Sequence, residues 1–331
     1  MARYLFVTIA NKKFINQAKQ LFASAYFNAG WDGDYMLLTS DLGPEQILWF
    51  EKRGILVKKH ELLFQGKMAE FDPVVYHKFY LFTDEFKKWD AVIYADSDII
   101  IRNSLEGLKN TANFSAVVDT GGKSILKQLT PLNEVTDKPV KQEYLQKLKL
   151  LKRKYNLRKP SFNAGFFALN TKMIKGADIK NNLIDLALNC KNITNWGEQL
   201  AFNLEFFNWE KLSPVYNFFV YDYKKNLTIK KQGIKSPVLH FAGQETLKPW
   251  DKKSPFYSEW KENLERSEKM DVREKMNHKK QKATKFHSAY ICIVYRIKKT
   301  LCSIDVFLGA AGDALKKKSP ELYIFIKKFK K

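Results

Sequence analysis

Short runs of β-branched and aromatic residues alternate with helical patterns over the first 120 residues, and this alternation constrains the fold more than any other feature. Tyr4 to Ala10 reads as a strand and Phe14 to Phe27 as a helix. Tyr35 to Thr39, Ile55 to Lys59 and Ala91 to Ala95 read as further strands, with helices at Pro44 to Lys52 and Val74 to Trp89 between them. Asp72-Pro73 suits the N-cap and first turn of the second of these helices. Strands separated by helices predict a parallel or mixed α/β sheet, whose ligands bind beyond the carboxyl ends of the strands. Function is therefore sought just after the strands.

Residues 120–160 interrupt the alternation with Gly121-Gly122, three prolines and a very basic helix expected from Lys138 to Arg158, which reads as an insertion over the sheet. It either caps the acceptor side of the site or presents a solvated charged face. The run SFNAGFFALN from Ser161 returns to strand character. Helices are expected at Lys172 to Asn189 and Gly197 to Phe207, and a last strand at Pro237 to Ala242 precedes the loop GQETLKPW. Past Trp260 the composition shifts to Lys, Glu and Met. A boundary near 265 divides a body, 1–265, from a basic tail, 266–331, expected to form amphipathic helical elements.

Charge separates these two parts further. Lys and Arg total 57 against 35 Asp and Glu, a net +22, and residues 271–331 carry 16 basic and 5 acidic side chains, half of that excess. Such an excess attracts phosphate-bearing partners. In the tail, KK, KKK and KKFKK clusters interleave with apolar residues, the pattern of elements that lie on anionic lipid. Nucleic acid is disfavoured because no recognised nucleic-acid motif is present. Three cysteines without a C-x-x-C pair fit a reducing compartment and argue against structural zinc. The N-terminus lacks the pattern of a signal peptide, and no apolar run approaches a membrane span, so the expected location is cytoplasmic and peripheral on the membrane.

The strand AVIYADSDIII places Asp96 and Asp98 at its carboxyl end, flanking Ser97. Two carboxylates one residue apart, where a strand bends, offer oxygen ligands to Mn²⁺ or Mg²⁺ that also bind substrate phosphates. A D-x-D pair after a strand also suits a phosphatase nucleophile and acid, although Ile100 stands where such enzymes usually carry Thr or Val. His240, in PVLHFAG, adds a nitrogen ligand suited to Mn²⁺. Gly243 followed by Lys248 suits a diphosphate, because backbone amides approach closely at Gly and an ammonium neutralises the leaving charge.

Taken in order, FVTIA, HKFYLF, YADSDI, FSAVVD, FNAGFFALN, GEQLAFN and HFAG…KPW resemble glycosyltransferase family 8 over roughly residues 3–255. The resemblance implies the GT-A fold, a mixed α/β sheet flanked by helices. It implies a UDP-sugar donor, UDP-glucose or UDP-galactose foremost, a Mn²⁺ ion held by Asp96, Asp98 and His240, and retention of anomeric configuration. The implied acceptor is a glycan or glycolipid such as lipopolysaccharide or capsule. Thr8, Ile9, Ala10 and Asn11 would flank uracil and ribose, Lys78 would contact the donor, and Lys248 with the Gly243 amide would hold the β-phosphate. Asp119, Asn163 and Ala164 match positions that contact the transferred sugar, and Glu198 and Gln199 stand where the family carries Asp-Gln. Two departures are evident. Glu198 has one methylene too many for a well-placed nucleophile, and the spacing from Gly243 to Lys248 is two residues longer than usual. The competing readings are a basic membrane- or nucleic-acid-binding adaptor on an inactive scaffold, and a D-x-D phosphatase.

Overall fold

The computed structural model describes residues 3–66, 71–119, 124–131, 134–135, 137–220, 236–243 and 247–274. Its strands are β1 (Tyr4–Ile9), β2 (Asp34–Thr39), β3 (Leu56–Lys59), β4 (Ala91–Ala95), β5 (Ile99–Ile101), β6 (Phe114–Val118), β7 (Phe162–Asn170), β8 (Glu210–Lys211), β9 (Phe218–Phe219) and β10 (Val238–His240). The α-helices are α1 (Ile15–Phe27), α2 (Pro44–Glu51), α3 (Lys138–Lys154), α4 (Asp178–Cys190), α5 (Glu198–Glu205) and α6 (Tyr257–Arg266). The larger sheet runs β3-β2-β1-β4-β7-β6-β8, and β5-β10-β9 form a smaller one. β1 to β4 pair in parallel, whereas β7 runs antiparallel to both β4 and β6. The result is a mixed sheet flanked by helices, as the alternation of patterns predicts.

The central strands are apolar on both faces because both faces are covered. On β4, Val92 and Tyr94 enter one core with Phe79, Phe82, Phe167 and Phe202. Ile93 and Ala95 enter the other with Leu21 and Phe22 of α1 and Phe50 of α2. Successive residues of a strand point to opposite faces, so one short run serves two cores.

The segment expected as a helix from Val74 to Trp89 is instead two 3₁₀ segments, Pro73–Phe82 and Asp84–Lys88, divided at Thr83, whose backbone is extended. The reason lies in the spacing of the aromatics. Tyr76, Phe79 and Phe82 recur every third residue and all are buried, and three residues per turn aligns such a series in one stripe. Asp72 does cap this element, accepting from Val74 N at 3.0 Å. The basic helix α3 stops at Lys154, short of Arg158, where Tyr155 turns extended. Its Tyr144, Leu148 and Leu151 belong to a third core that also holds Ile125, Leu129, Leu200 and Leu204.

The run AVIYADSDIII is divided between the two sheets. β4 ends at Ala95, and after the turn Asp96-Ser97-Asp98 the chain enters β5 in the smaller sheet. β10 pairs antiparallel with β5 in a register that sets His240 opposite Ile99. The packed body continues past residue 265. Met270 is buried, Val272 N donates to Arg53 O at 3.0 Å, and Tyr26 hydroxyl donates to Glu274 O at 2.8 Å. The basic clusters of the tail lie outside the described residues. Among the described residues, no helix is long and apolar enough to cross a membrane.

Candidate active site

β1 and β4 are parallel neighbours with Val7 opposite Tyr94, so both carboxyl ends open on one edge. Thr8 hydroxyl donates to Ala95 O at 2.6 Å and fixes that edge. Asp96 follows immediately, its N–H donating to Gly165 O of β7 at 2.7 Å. Asp98 is joined to β10 through Phe241 N, which donates to Asp98 O at 3.1 Å. The sheet register thus carries His240, from the far end of the chain, to the two aspartates.

Among the described residues, Asp96, Asp98 and His240 bring one ligand atom each within 4.8 Å of one another. Two oxygens and an imidazole nitrogen form a donor set suited to Mn²⁺ or Mg²⁺. Gly165 supplies the room: a Cβ there would fall on His240 Cε1 and 2.7 Å from Asp96 Oδ2. The residues therefore fit a divalent cation. Asp96 Oδ1 is already engaged, accepting from Tyr94 hydroxyl and from Lys78 Nζ at 3.1 Å. Lys248 Nζ lies 2.8 Å from Asp98 Oδ2, and His240 Nε2 lies 3.2 Å from Asp98 Oδ1. Burial pushes the Asp98 carboxyl up, but Lys248 and His240 outweigh it and hold it below the ordinary carboxylate range.

Beneath Asp96 lies a charged triad. Lys78 is 3% exposed and pairs with both Asp96 and Glu198. Burial works against its ammonium, yet the two carboxylates raise its pKa. Burial raises the Glu198 carboxyl, with Lys78 opposing and Asp96 adding to the shift. Gly197, at φ +54°, starts α5 in a conformation that favours glycine, and a Cβ there would strike the Phe71 ring at 2.9 Å.

On the other side of Gly165 a set of amides is ordered by hydrogen bonds. Gln199 Oε1 accepts from Asn163 Nδ2 at 2.9 Å and from Ala164 N at 3.1 Å, while Gln199 Nε2 donates to Asp119 Oδ2 at 3.4 Å. Asn203 clamps β7 to α5, with Oδ1 accepting from Phe162 N at 2.8 Å and Nδ2 donating to Phe162 O and Gln199 O.

Residues 34–254 match the family model described as "Glycosyl transferase family 8". The chain belongs to glycosyl transferase family 8. It is 25% identical over 237 residues to Glycosyltransferase GlyF of Streptococcus pneumoniae serotype 4, covering 66% of this chain and 50% of GlyF. The chain thus spans about half the length of this curated relative. An active-site mutant of LgtC superposes with a TM-score of 0.59 at 16% identity, covering 79% of this chain and 95% of LgtC. The bifunctional glycosyltransferase WbbM superposes with a TM-score of 0.58 at 18% identity, covering 80% of this chain and 50% of WbbM. A further structure holds the galactosyltransferase LgtC in complex with donor and acceptor sugar analogues, with a TM-score of 0.55 at 14% identity and coverage of 79% and 95%. These likenesses establish the GT-A fold.

In this family 8 chain the residues singled out from sequence divide into three groups. Asp96, Asp98, His240 and Lys248 converge, and Lys248 reaches Asp98 despite the longer spacing from Gly243, which turns at φ +90°. Asp119, Asn163, Ala164 and Gln199 form the adjoining amide set. Lys78 and Glu198 are spent on each other and on Asp96, so neither presents a free charge. At the edge of β1, Thr8 is buried with Ile9, and Ala10 N donates to Leu38 O at 3.1 Å. Asn11 accepts from Lys13 N at 3.0 Å and donates to Asp72 Oδ2 at 3.1 Å, while Ser97 stays partly exposed between the aspartates.

Three residues at the site escaped the sequence reading. Tyr94 stands near the end of β4, two residues before Asp96, and its hydroxyl donates to Asp96 Oδ1. Gly165 interrupts an apolar strand, a mark of close approach by another group. Asn217, 1% exposed, accepts from His240 Nδ1 at 2.8 Å, and nothing around it in the sequence marks it out.

Proposed function

We propose that this chain transfers a hexose, with retention, from a UDP-sugar such as UDP-glucose or UDP-galactose to a glycan or glycolipid acceptor. The observation that carries the reading is the convergence of Asp96, Asp98, His240 and Lys248 beside the ordered Asn163, Gln199 and Asp119 amide set. Family membership supports it, as does the complex of LgtC with donor and acceptor sugar analogues. Asp96, Asp98 and His240 would hold Mn²⁺ or Mg²⁺, which when bound supplies Lewis-acid charge to a diphosphate leaving group.

The chain's own residues do the rest. Lys248 places an ammonium beside Asp98, where it neutralises charge on the departing UDP, and the Gly243 backbone admits close approach of the diphosphate. Asp119 and the amides of Asn163 and Gln199 receive the sugar hydroxyls and stabilise positive charge developing at the anomeric carbon. The Ala164 backbone and Gln199 hold each other in register. Ile9, Ala10 and Asn11 line the edge where the base and ribose sit, with Thr8 supporting them from within. Lys78 and Glu198 support Asp96 from beneath rather than touching the donor, and Glu198, locked on Lys78, is no nucleophile in this arrangement. The basic tail, in the part that follows the packed residues up to Glu274, docks the enzyme on the cytoplasmic face of an anionic membrane, where a lipid-linked acceptor such as lipopolysaccharide or capsule precursor resides.

The test is release of UDP from a panel of UDP-sugars with Mn²⁺, the hexose passing to water or to added glycan and glycolipid acceptors, in the purified protein and in Asp98→Ala. Metal-dependent UDP release by one UDP-sugar, lost in the variant, supports the reading. Release of inorganic phosphate from a phosphate monoester such as p-nitrophenyl phosphate, supplied in parallel, favours a phosphatase instead. Absence of both products with every donor contradicts the proposed transfer.

A further inference from the structure

We propose that Asn217 is a positioning residue that holds His240 with its proton on Nδ1 and so leaves Nε2 as the nitrogen for a divalent cation. The inference rests on the cation reading of Asp96, Asp98 and His240 given above. Its basis is the direction of a continuous chain of hydrogen bonds, from His240 through Asn217 and Asn163 to Gln199 and Asp119.

Amide orientations are usually chosen rather than observed, but here backbone donors decide them. A backbone N–H can only donate. Ala164 N lies 3.1 Å from one atom of the Gln199 amide, so that atom is the oxygen. Gly165 N lies 2.9 Å from one atom of the Asn163 amide, which is therefore oxygen too, and the Asn163 nitrogen faces Gln199 Oε1 at 2.9 Å. The atom of Asn217 that lies 3.1 Å from Asn163 Oδ1 must then be the donor Nδ2. That leaves Asn217 Oδ1 facing His240 Nδ1 at 2.8 Å, and an amide oxygen only accepts. Nδ1 must carry the hydrogen.

The other ring nitrogen faces the cation site. His240 Nε2 lies 3.2 Å from Asp98 Oδ1, on the side where the ligand atoms converge. The ring, 2% exposed, lies beside Phe219 with centroids 5.3 Å apart, and β9 and β10 pair Phe219 with His240. Asn217 immediately precedes β9, so the same short strand supplies both the ring contact and the hydrogen-bond partner. Outer partners that fix a ligating histidine in this way typically change metal affinity by about 10–100-fold when removed. Because the relay ends on Gln199 and Asp119, it also ties the orientation of His240 to the pocket proposed for the sugar.

The test measures Mn²⁺ affinity of the full chain by titration calorimetry, for the natural protein, Asn217→Leu and Asn217→Asp. It is paired with ¹⁵N NMR of the His240 ring in the Mg²⁺-loaded natural protein. Asn217→Leu removes the acceptor and is expected to weaken Mn²⁺ binding about 10–100-fold. Asn217→Asp keeps an acceptor for Nδ1 while losing the Nδ2 donor to Asn163 Oδ1, and is expected to bind Mn²⁺ more tightly than Asn217→Leu. The NMR spectrum is expected to show the proton on Nδ1 and none on Nε2. A proton on Nε2 with Nδ1 bare overturns the inference without any variant, as does unchanged affinity in a folded Asn217→Leu. Failure of the natural protein to bind Mn²⁺ at all overturns the cation reading underneath it, and the two failures are thereby told apart.

Discussion

Replacing Lys78 by Met tests the buried triad directly, because Met keeps the apolar stem and most of the length of the side chain while removing the ammonium's charge and donors. Among the described residues Lys78 is the ammonium that pairs with both Asp96 and Glu198, so the variant leaves two carboxylates facing each other at a largely buried position. Breaking a buried pair in this way costs about 3–5 kcal/mol. With a urea slope of about 3 kcal/mol per molar, the unfolding midpoint should fall by about 1–1.7 M. The loss should also depend on pH. Burial already raises the pKa of Glu198 above its ordinary value, and removal of Lys78 raises it further. A carboxyl whose folded pKa exceeds the unfolded one stabilises the fold fully below the unfolded value, and that contribution is lost as pH rises through the folded value. The variant should therefore be closer to the natural protein at pH 5 than at pH 8. The assay is urea unfolding followed by tryptophan fluorescence, in the presence of a chelator so that no cation offsets the missing ammonium. A loss below about 1 kcal/mol, equal at both pH values, would refute the view that Lys78 holds the two carboxylates together.

Gly165→Ala places a methyl group against His240 and Asp96, so Mn²⁺ binding measured by calorimetry should be abolished; near-natural affinity would show that the gap at Gly165 is not needed. His77 is fully buried beside Lys78, with Nε2 3.3 Å from Glu61 O, and burial pushes its pKa down to about 4. Its folded value lies below the unfolded one, so the unfolded chain takes up the proton first and stability falls as pH drops from about 6.5 toward 4. Urea unfolding should show a loss of about 2 kcal/mol between pH 7 and pH 5, and a folded His77→Phe should lack that part of the slope.

Alternation of strand and helix patterns was enough to expect the mixed sheet, and an Asp-x-Asp after a buried strand marked two of the three residues that converge there. His240, at the end of a short apolar strand, was a candidate nitrogen ligand that the resemblance to the family joined to the two aspartates. What sequence could not show is where long-range pairing sends each side chain. For Lys78 the resemblance implies a donor contact, and only the folded 3₁₀ stripe of Tyr76, Phe79 and Phe82 shows its ammonium turned inward onto Glu198 and Asp96. Asn217 is invisible for the same reason: only the pairing of β9 with β10 brings it to His240. The boundary at 265 was set by composition, but composition changes at α6 because that helix is amphipathic, burying Trp260 and Asn263 while its other face carries charge.

The central claim is that Asp96, Asp98 and His240 hold a divalent cation that brings a UDP-sugar to this edge of the sheet. It is tested most directly by the thermal unfolding midpoint of the purified chain with UDP and UDP-sugars, each with and without Mn²⁺. A ligand present at about 100 times its dissociation constant adds about 2.7 kcal/mol to the stability of the native state. The account predicts a clear rise in midpoint with UDP or a UDP-sugar when Mn²⁺ is present, and little or none in Asp98→Ala. An unchanged midpoint with every UDP compound at saturating Mn²⁺ would contradict it.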